Sequence, residues 1–204
     1  MRRRAIFFLV LVGVLAASSG CKKNEVDKGA FKSAIDNYLV AKQSCMWNAP
    51  IKFPAQADTK DDEQTKQFDA LTDAGMLTRT SAEKKRFLVG SKQVNNYDLS
   101  EQGRAKWTAD SSQPGYGNFC YGHAEVTSVD NYTPATDGAT QYTVNYHYST
   151  NNLPAWANTA EMKTAFPRLN DATVPQAGTA TLAKSNDGWM VQSAQPATSG
   201  ATGQ

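Results

Sequence analysis

Residues and motifs that build catalytic or metal centres are scarce in this 204-residue chain. It has two histidines and three cysteines. It contains no Gly-x-Ser-x-Gly elbow, no His-Glu-x-x-His pair, no glycine-rich phosphate loop and no Cys-x-x-Cys. Because few bases are present to activate a serine or cysteine nucleophile, the sequence favours a non-catalytic protein, and we expect no cofactor.

The chain also lacks a strong net charge. It has 21 Lys and Arg against 19 Asp and Glu, a net charge of +2. Arg2, Arg3 and Arg4 lie in the first 20 residues, which hold no acid, so the other 184 residues carry 18 basic against 19 acidic residues, or −1. This balance gives no global field that would attract phosphate. We therefore expect no nucleic-acid partner.

No apolar run is long enough to span a bilayer. The longest, from Ile6 to Leu15, follows the three arginines and precedes small residues, which is the pattern of a secretory signal peptide. The stretch ends in Ser18-Ser19-Gly20-Cys21. This ending resembles the lipobox of bacterial lipoproteins, although Ser18 stands where that family most often has leucine.

The resemblance implies cleavage before Cys21, lipidation of its thiol and acylation of the new amino terminus. Two or three acyl chains, at about 0.8 kcal/mol per buried methylene, hold a protein on a membrane. Lys22, rather than Asp, follows the cysteine, which by the enterobacterial sorting rule implies the outer membrane, on its periplasmic face. Residues 1–20 would then be the signal peptide and 21–26 a lipidated tether; an ordinary signal peptide with a free cysteine is the alternative.

Cys45 and Cys120 remain once Cys21 is lipidated. Two cysteines in an oxidising compartment most simply form a disulfide, and two buried free thiols are the alternative. Closing so long a loop stabilises the fold by about 4 kcal/mol in the chain-entropy model.

Two helices are predicted near the start of the chain. The first runs from about Asp27 to Ala41, with apolar residues at helical spacing. The second runs from about Thr59 to Ala74, with an acidic first turn and Gly75 after its end. Residues 47–54 contain two prolines, which favour an extended loop.

Short apolar runs follow the second helix and predict strands at Met76–Thr80, Arg86–Val89 and Val94–Leu99. Two segments resemble parts of a winged helix. The end of its helix is resembled by Leu71-Thr72-Asp73-Ala74-Gly75-Met76-Leu77, and the end of its wing by Tyr97-Asp98-Leu99-Ser100-Glu101-Gln102-Gly103-Arg104. The resemblance covers some fifty residues and implies that residues 27–110 form a helical, winged-helix-like part. Its recognition helix would be the acidic second helix, which repels phosphate, so DNA binding does not follow.

The predicted wing is basic. Between Met76 and Trp107 there are seven Lys and Arg against three acidic residues, a local balance of +4. Edge strands protected by solvated lysines are the simplest interpretation. The alternative is contact with an anionic surface such as lipid head groups. That contact would use Lys84, Lys85, Arg86 and Lys92.

Residues 111–193 indicate an antiparallel β part with one helix at about Thr159–Phe166. Alternation in Phe119–Val129 and Gln141–Ser149 predicts a hairpin, and Asp187-Gly188 predicts a tight turn in a last hairpin. The small and polar residues 194–204 are typical of a disordered tail. The predicted fold class is α+β: a winged-helix-like N-terminal half packed with a small antiparallel β-sheet C-terminal half.

The first of these hairpins suggests a metal site. A turn centred near Ala135 would place His123 opposite His147, with Glu125 beside them on one face, and these three side chains could share a metal ion. A slip of one residue would reverse the face. A polar sheet face without a metal is the simpler interpretation.

The leading hypothesis is a membrane-anchored envelope lipoprotein that acts as a non-catalytic interaction module for an envelope protein or for peptidoglycan. Four aromatic residues in or beside loops are candidate contacts; packing in the core is the alternative for them. They are Trp47, Tyr116, Tyr121 and Trp156. The competing hypothesis is an envelope module that binds a metal or small ligand through His123 and His147.

Overall fold

A computed structural model describes residues 26–59, 62–85, 90–135 and 140–196. Several parts of the sequence predictions lie outside the described residues. These are the predicted signal peptide, Cys21, Arg86 and residues 197–204 of the predicted tail. The helices are α1 (Lys28–Val40), α2 (Glu63–Asp73), α3 (Glu101–Lys106), α4 (Ala160–Ala165) and α5 (Arg168–Ala172), with a 3-10 turn at Ala155–Ala157. The strands are β1 (Gln43–Cys45), β2 (Ile51–Lys52), β3 (Ala55–Asp58), β4 (Leu77–Lys85), β5 (Ser91–Leu99), β6 (Trp107–Ala109), β7 (Tyr116–His123), β8 (Glu125–Pro134), β9 (Gln141–Ser149), β10 (Gln176–Ser185) and β11 (Gly188–Pro196).

The described strands form three antiparallel sheets. In sheet I, β7 pairs with β1, β2 and β6. Sheet II has the order β3-β5-β4, and sheet III the order β11-β10-β9-β8. Strands make up 47% of the structure. The predicted fold class, a winged-helix-like N-terminal half packed with a small antiparallel β-sheet C-terminal half, is therefore wrong.

The error has a physical cause in residues 43–58. Residues 47–54 were predicted to form an extended loop, but residues 43–58 form β1, β2 and β3, whose two to four residues are too short to show an alternating pattern. Their partners β7 and β5 lie far away in sequence. The wing hairpin of β4 and β5 does form, but β3 pairs with its second strand and makes it part of a three-stranded sheet.

Helix α1 forms as its sequence predicts. The Asp27 carboxylate caps it by accepting a hydrogen bond from the Ala30 amide at 2.8 Å. Its buried face places Phe31 and Ile35 on sheet III. The centroid of the Phe31 ring lies 5.0 to 5.3 Å from the centroids of three aromatic rings of the sheet. These are Tyr132, Tyr142 and Trp189.

Two polar contacts fix the direction of α1 along β8. The Lys28 ammonium donates to the Asp130 carbonyl at 2.6 Å, and two turns later Asp36 accepts from the Val126 amide at 2.7 Å. The helix therefore runs antiparallel to β8, from the turns of sheet III toward the start of that strand.

A second core lies between sheets I and II and the remaining helices. Phe68 and Leu71 of α2 pack there with Tyr97 and Phe119, all almost fully buried. The chain passes between the two cores four times: at Ala41-Lys42 after α1, at Ala124 between β7 and β8, at residues 150–154 after β9, and at residues 173–175 before β10.

We expect Phe31→Ala to lower the free energy of unfolding by about 3 to 5 kcal/mol, because it removes a fully buried ring from an aromatic cluster. Urea denaturation of residues 22–204 measures the change. Val174→Ala is the control, since that side chain is 55% exposed and its loss should shift stability by no more than about 0.5 kcal/mol. Equal effects of the two substitutions would contradict the packing described for α1.

Candidate functional site

A groove opens between the β2 segment and the first turns of α2. Its volume is about 680 Å3, which lies within the range of small-ligand sites. Trp47, Pro50, Ile51 and Tyr116 supply apolar surface to it. Lys52, Glu63, Gln64 and Gln67 supply polar groups. We call it the Tyr116 groove.

Contacts to β7 and α5 hold the segment that precedes β2. The Trp47 amide donates to the Asn118 side-chain oxygen at 3.2 Å, and the Asn118 side-chain amide donates back to the Trp47 carbonyl at 2.7 Å. Arg168 donates to the Cys45 carbonyl at 3.2 Å. A disulfide joins Cys45 to Cys120, which confirms the predicted pairing. The backbone on this side of the groove is thus fixed by covalent and hydrogen bonds.

Close packing fixes the adjoining end of β7. Ile51 lies opposite Gly117 in the β2–β7 pair. A Cβ atom added to Gly117 would lie 2.5 Å from the Thr108 carbonyl oxygen and from the Trp107 ring. Only glycine therefore allows β6 to approach β7 this closely, and Tyr116 precedes it directly.

The Trp47 ring is held rigidly at the groove. Its indole N–H donates to the Gln67 side-chain oxygen at 2.8 Å. Its centroid lies 5.7 to 6.5 Å from four phenylalanine rings of the core, Phe53, Phe68, Phe119 and Phe166. The side chain is nevertheless only half-buried, so part of the ring surface remains accessible.

Tyr116 supplies the exposed ring. It is 37% exposed, and it is among the few large apolar side chains of the described chain with that much surface in solvent. The Lys52 ammonium lies 5.9 Å from its ring centroid, within the range of a cation–π contact. The ring therefore offers an accessible apolar face next to a positive charge.

The start of α2 forms the polar side of the groove. The Asp62 carboxylate caps the helix by accepting from the Thr65 amide at 2.7 Å, which sets Glu63 and Gln64 in the first turn. Gln67 lies one turn later and donates to Glu63 at 3.3 Å. Glu63, Gln64 and Gln67 therefore present one carboxylate and two primary amides to the aromatic side of the groove.

The other two predicted contact aromatics do not lie in the groove. Tyr121 is buried, and that burial raises the pKa of its hydroxyl. Trp156 packs on the core with its ring 5.9 Å from that of Phe119. Both serve the core, whereas Trp47 and Tyr116 contribute to the groove.

The register that brought His123 and His147 together is wrong. β7 ends at His123, which lies opposite Gln43 in sheet I, while His147 lies opposite Ser128 in sheet III. The predicted turn centre is three residues too early: Pro134 lies opposite Tyr142, which centres the β8–β9 connection at position 138 rather than 135. The chain also breaks between β7 and β8 at Ala124, so His123 belongs to β7 and not to β8.

Each histidine instead has a separate carboxylate neighbour. His123 Nε2 lies 3.7 Å from Glu125 Oε1, and His147 Nδ1 lies 2.9 Å from Asp130 Oδ2. Within the described ranges, no three His, Cys, Asp or Glu side chains come together as metal ligands. The proposed set of His123, His147 and Glu125 therefore has no common centre in this fold.

The basic residues of the wing are partly neutralised. Lys84 is exposed and lies opposite Lys92 across the hairpin. Lys92 forms an ion pair with Asp58 of β3. Lys85 ends β4 opposite Ser91, and Arg86, the fourth residue predicted to contact an anionic surface, lies outside the described residues. An anionic surface would therefore meet fewer uncompensated charges here than the sequence count indicates.

Among the described residues, no helix is long and apolar enough to cross a membrane. The lipobox-like Cys21 and the sequence before it lie outside the described residues, so the anchor stays a prediction from the sequence.

Comparison with known proteins gives no relative from which a function could be transferred. No family model, no curated protein and no solved structure matches this chain.

Sequence reasoning found the aromatic side of the groove and missed its polar side. The acidic first turn of the predicted second helix includes Glu63 but does not indicate a binding site, and nothing in the sequence marks Gln64 or Gln67 as binding residues. The spacing of Glu63 and Gln67 at i and i+4 does indicate a shared face of α2. Nothing in the sequence shows that this face meets β2, because the contact depends on the unpredicted pairing of β2 with β7.

Replacing both cysteines, Cys45→Ser with Cys120→Ser, should lower the free energy of unfolding by up to about 4 kcal/mol, because the disulfide closes a loop with a sequence separation of 75 residues. Urea denaturation of residues 22–204 without reductant measures this loss. Reductant should destabilise the natural chain and leave the double variant unchanged. Identical midpoints for the two chains would show that the bond contributes no stability.

Proposed function

We propose that this chain is a lipid-anchored protein of the bacterial envelope that acts as a non-catalytic interaction module, with the Tyr116 groove as its contact surface. The observation that carries the proposal is the pairing of an exposed ring, Tyr116, with a rigidly held one, Trp47, in a groove of about 680 Å3. Rigid aromatic side chains with accessible surface are typical of contact sites.

The leader supports the location. Three arginines, a short apolar run and Ser18-Ser19-Gly20-Cys21 resemble the start of bacterial lipoproteins, and Lys22 favours the outer membrane over the inner one. Five residues, 22–26, lie between Cys21 and Asp27, the N-cap of α1. Even fully extended, this tether would span only about 20 Å.

The path of the chain places a helix and a strand between the proposed anchor and the groove. α1 has 13 residues, and at about 1.5 Å per residue it is about 20 Å long. It leads to β1 at the His123 end of β7, and the groove lies at the Tyr116 end. Eight residues of strand separate these ends by about 24 Å. A helix and a strand thus lie between the membrane side of the chain and the groove.

The remaining surfaces support contact functions less well. Arg79 and Lys92 of the wing already have acidic partners, Asp69 and Asp58. His123 and His147 lie in different sheets. The groove combines accessible aromatic surface with side chains capable of directional hydrogen bonds.

We expect Cys21→Ser to move the protein from the membrane fraction to the soluble periplasm, because the thiol that would carry the acyl chains is lost. Cell fractionation and incorporation of labelled palmitate into the natural chain measure this. Cys45→Ser is the matched control, since its thiol lies in the disulfide and its loss should not alter labelling. Retention of label in the Cys21 variant would contradict the anchor.

A photoreactive phenylalanine analogue at Tyr116 should crosslink to an envelope component in intact cells, because the exposed ring would lie against the partner. The same analogue at Tyr38 is the matched control: that tyrosine also has a lysine over its ring, Lys42, 4.3 Å from its centroid, but it lies outside the groove. Identical products from the two positions, or none from Tyr116, would contradict the groove as the contact surface.

A further inference from the structure

The shape of the groove argues against an added peptide strand. β2 has only two residues and is followed at once by the buried Phe53. Pro50 and Pro54 flank this stretch, and proline has no amide to donate to a new strand. Recognition by strand addition needs a row of free backbone groups, which this edge does not offer.

The charge of the groove argues against an anionic chain. Among the residues that line the groove, Lys52 is the one basic residue and Glu63 the one acidic residue. Glu63 also lies in the first turn of α2, where its charge is stabilised by the helix dipole. One cation balanced by one carboxylate gives no net attraction for a phosphate polymer.

The lining suits a neutral, hydroxyl-rich ligand. The accessible face of Tyr116 can cover the apolar C–H face of a sugar ring, and the half-buried Trp47 can border a second ring. Gln64 and Gln67 each carry a planar amide with both donor and acceptor groups, which matches hydroxyl and acetamido groups. Such a combination of apolar surface with a few directional polar groups is how concave sites orient small polar ligands.

We propose that the Tyr116 groove binds a chain of N-acetylated amino sugars, the glycan component of peptidoglycan. This inference rests on the proposed function and names the partner of the same surface. Gln64 is exposed and hydrogen-bonds the ligand directly. Gln67 uses its oxygen to hold the Trp47 indole, so its amide, which donates to Glu63 at 3.3 Å, is the group it offers to an acetamido carbonyl.

The test is titration calorimetry of the full chain in detergent with the tetrasaccharide of β-1,4-linked N-acetylglucosamine. We expect saturable binding by the natural chain and at least about tenfold weaker binding by Tyr116→Ala, because truncating a central aromatic contact removes more than about 1 kcal/mol. Gln64→Ala, at an exposed position, should weaken binding severalfold without altering the fold. Tyr38→Ala should bind as the natural chain does, and a glucose tetrasaccharide without acetamido groups should bind more weakly than the N-acetylated one.

Four outcomes would overturn the inference: no saturable binding at millimolar tetrasaccharide, equal affinity of the Tyr116 and Tyr38 variants, an unchanged affinity in the Gln64 variant, or equal affinity for the two tetrasaccharides. The unfolding midpoint of each variant verifies that lost binding is not lost folding. If the tetrasaccharide fails to bind while the photoreactive analogue at Tyr116 captures an envelope protein, the glycan assignment is wrong and the proposed function stands. If neither partner engages the groove, both are wrong.

Discussion

The fold depends on strand β7. Along its eight residues it pairs with β1, β2 and β6, and its Cys120 is bonded to Cys45 of β1. Phe119, in the middle of the strand, is fully buried beneath the rings of Trp47, Trp107 and Trp156. None of the strands β1, β2 and β6 has more than three residues. Because they are so short, each is held in place by its pairing with β7.

The same strand connects the two cores and the groove. At one end, His123 is followed by a single residue before β8 begins sheet III. At the other end, Tyr116 enters the groove directly, and Asn118 positions Trp47 through a reciprocal pair of hydrogen bonds. A change in the pairing of β7 would therefore alter sheet I and the groove together. Sheet III has its own core, built with α1.

Features encoded by neighbouring residues could be predicted from the sequence. Asp27, Asp62, Ser100 and Thr159 each cap a helix with their own side chain. The last hairpin follows from its Asp-Gly turn, and Gly188 has the positive φ of 127° that favours glycine. The disulfide followed from there being two cysteines beyond Cys21. In each case the signal lies within a few residues or in a simple count.

Features that require distant partners could not be predicted in the same way. β1, β2 and β3 are too short to carry a periodic pattern, and missing them led to the wrong fold class. The β8–β9 connection is centred at position 138 rather than near Ala135, and two register shifts along the pair carried no signal in the sequence. The groove was found only in its aromatic half, because its polar half comes from a helix brought alongside by the unpredicted β2–β7 pair.

The pairing of charges also depends on distant partners and could not be predicted from the sequence. The sequence shows an acidic second helix and a basic wing, and each was counted as if it faced solvent alone. In the fold, Asp69 of α2 accepts hydrogen bonds at 2.7 Å from both Arg79 of β4 and the Tyr97 hydroxyl of β5, and this contact raises the pKa of Arg79. Asp58 of β3 forms an ion pair with Lys92 of β5. Because a paired charge has a weaker field at a distance than an isolated one, the local balance of +4 overstates what an anionic partner would meet. Asp69 of α2 and Asp58 of β3 therefore neutralise part of the wing's charge, which leaves the near-neutral, aromatic Tyr116 groove as the better place for a partner to bind.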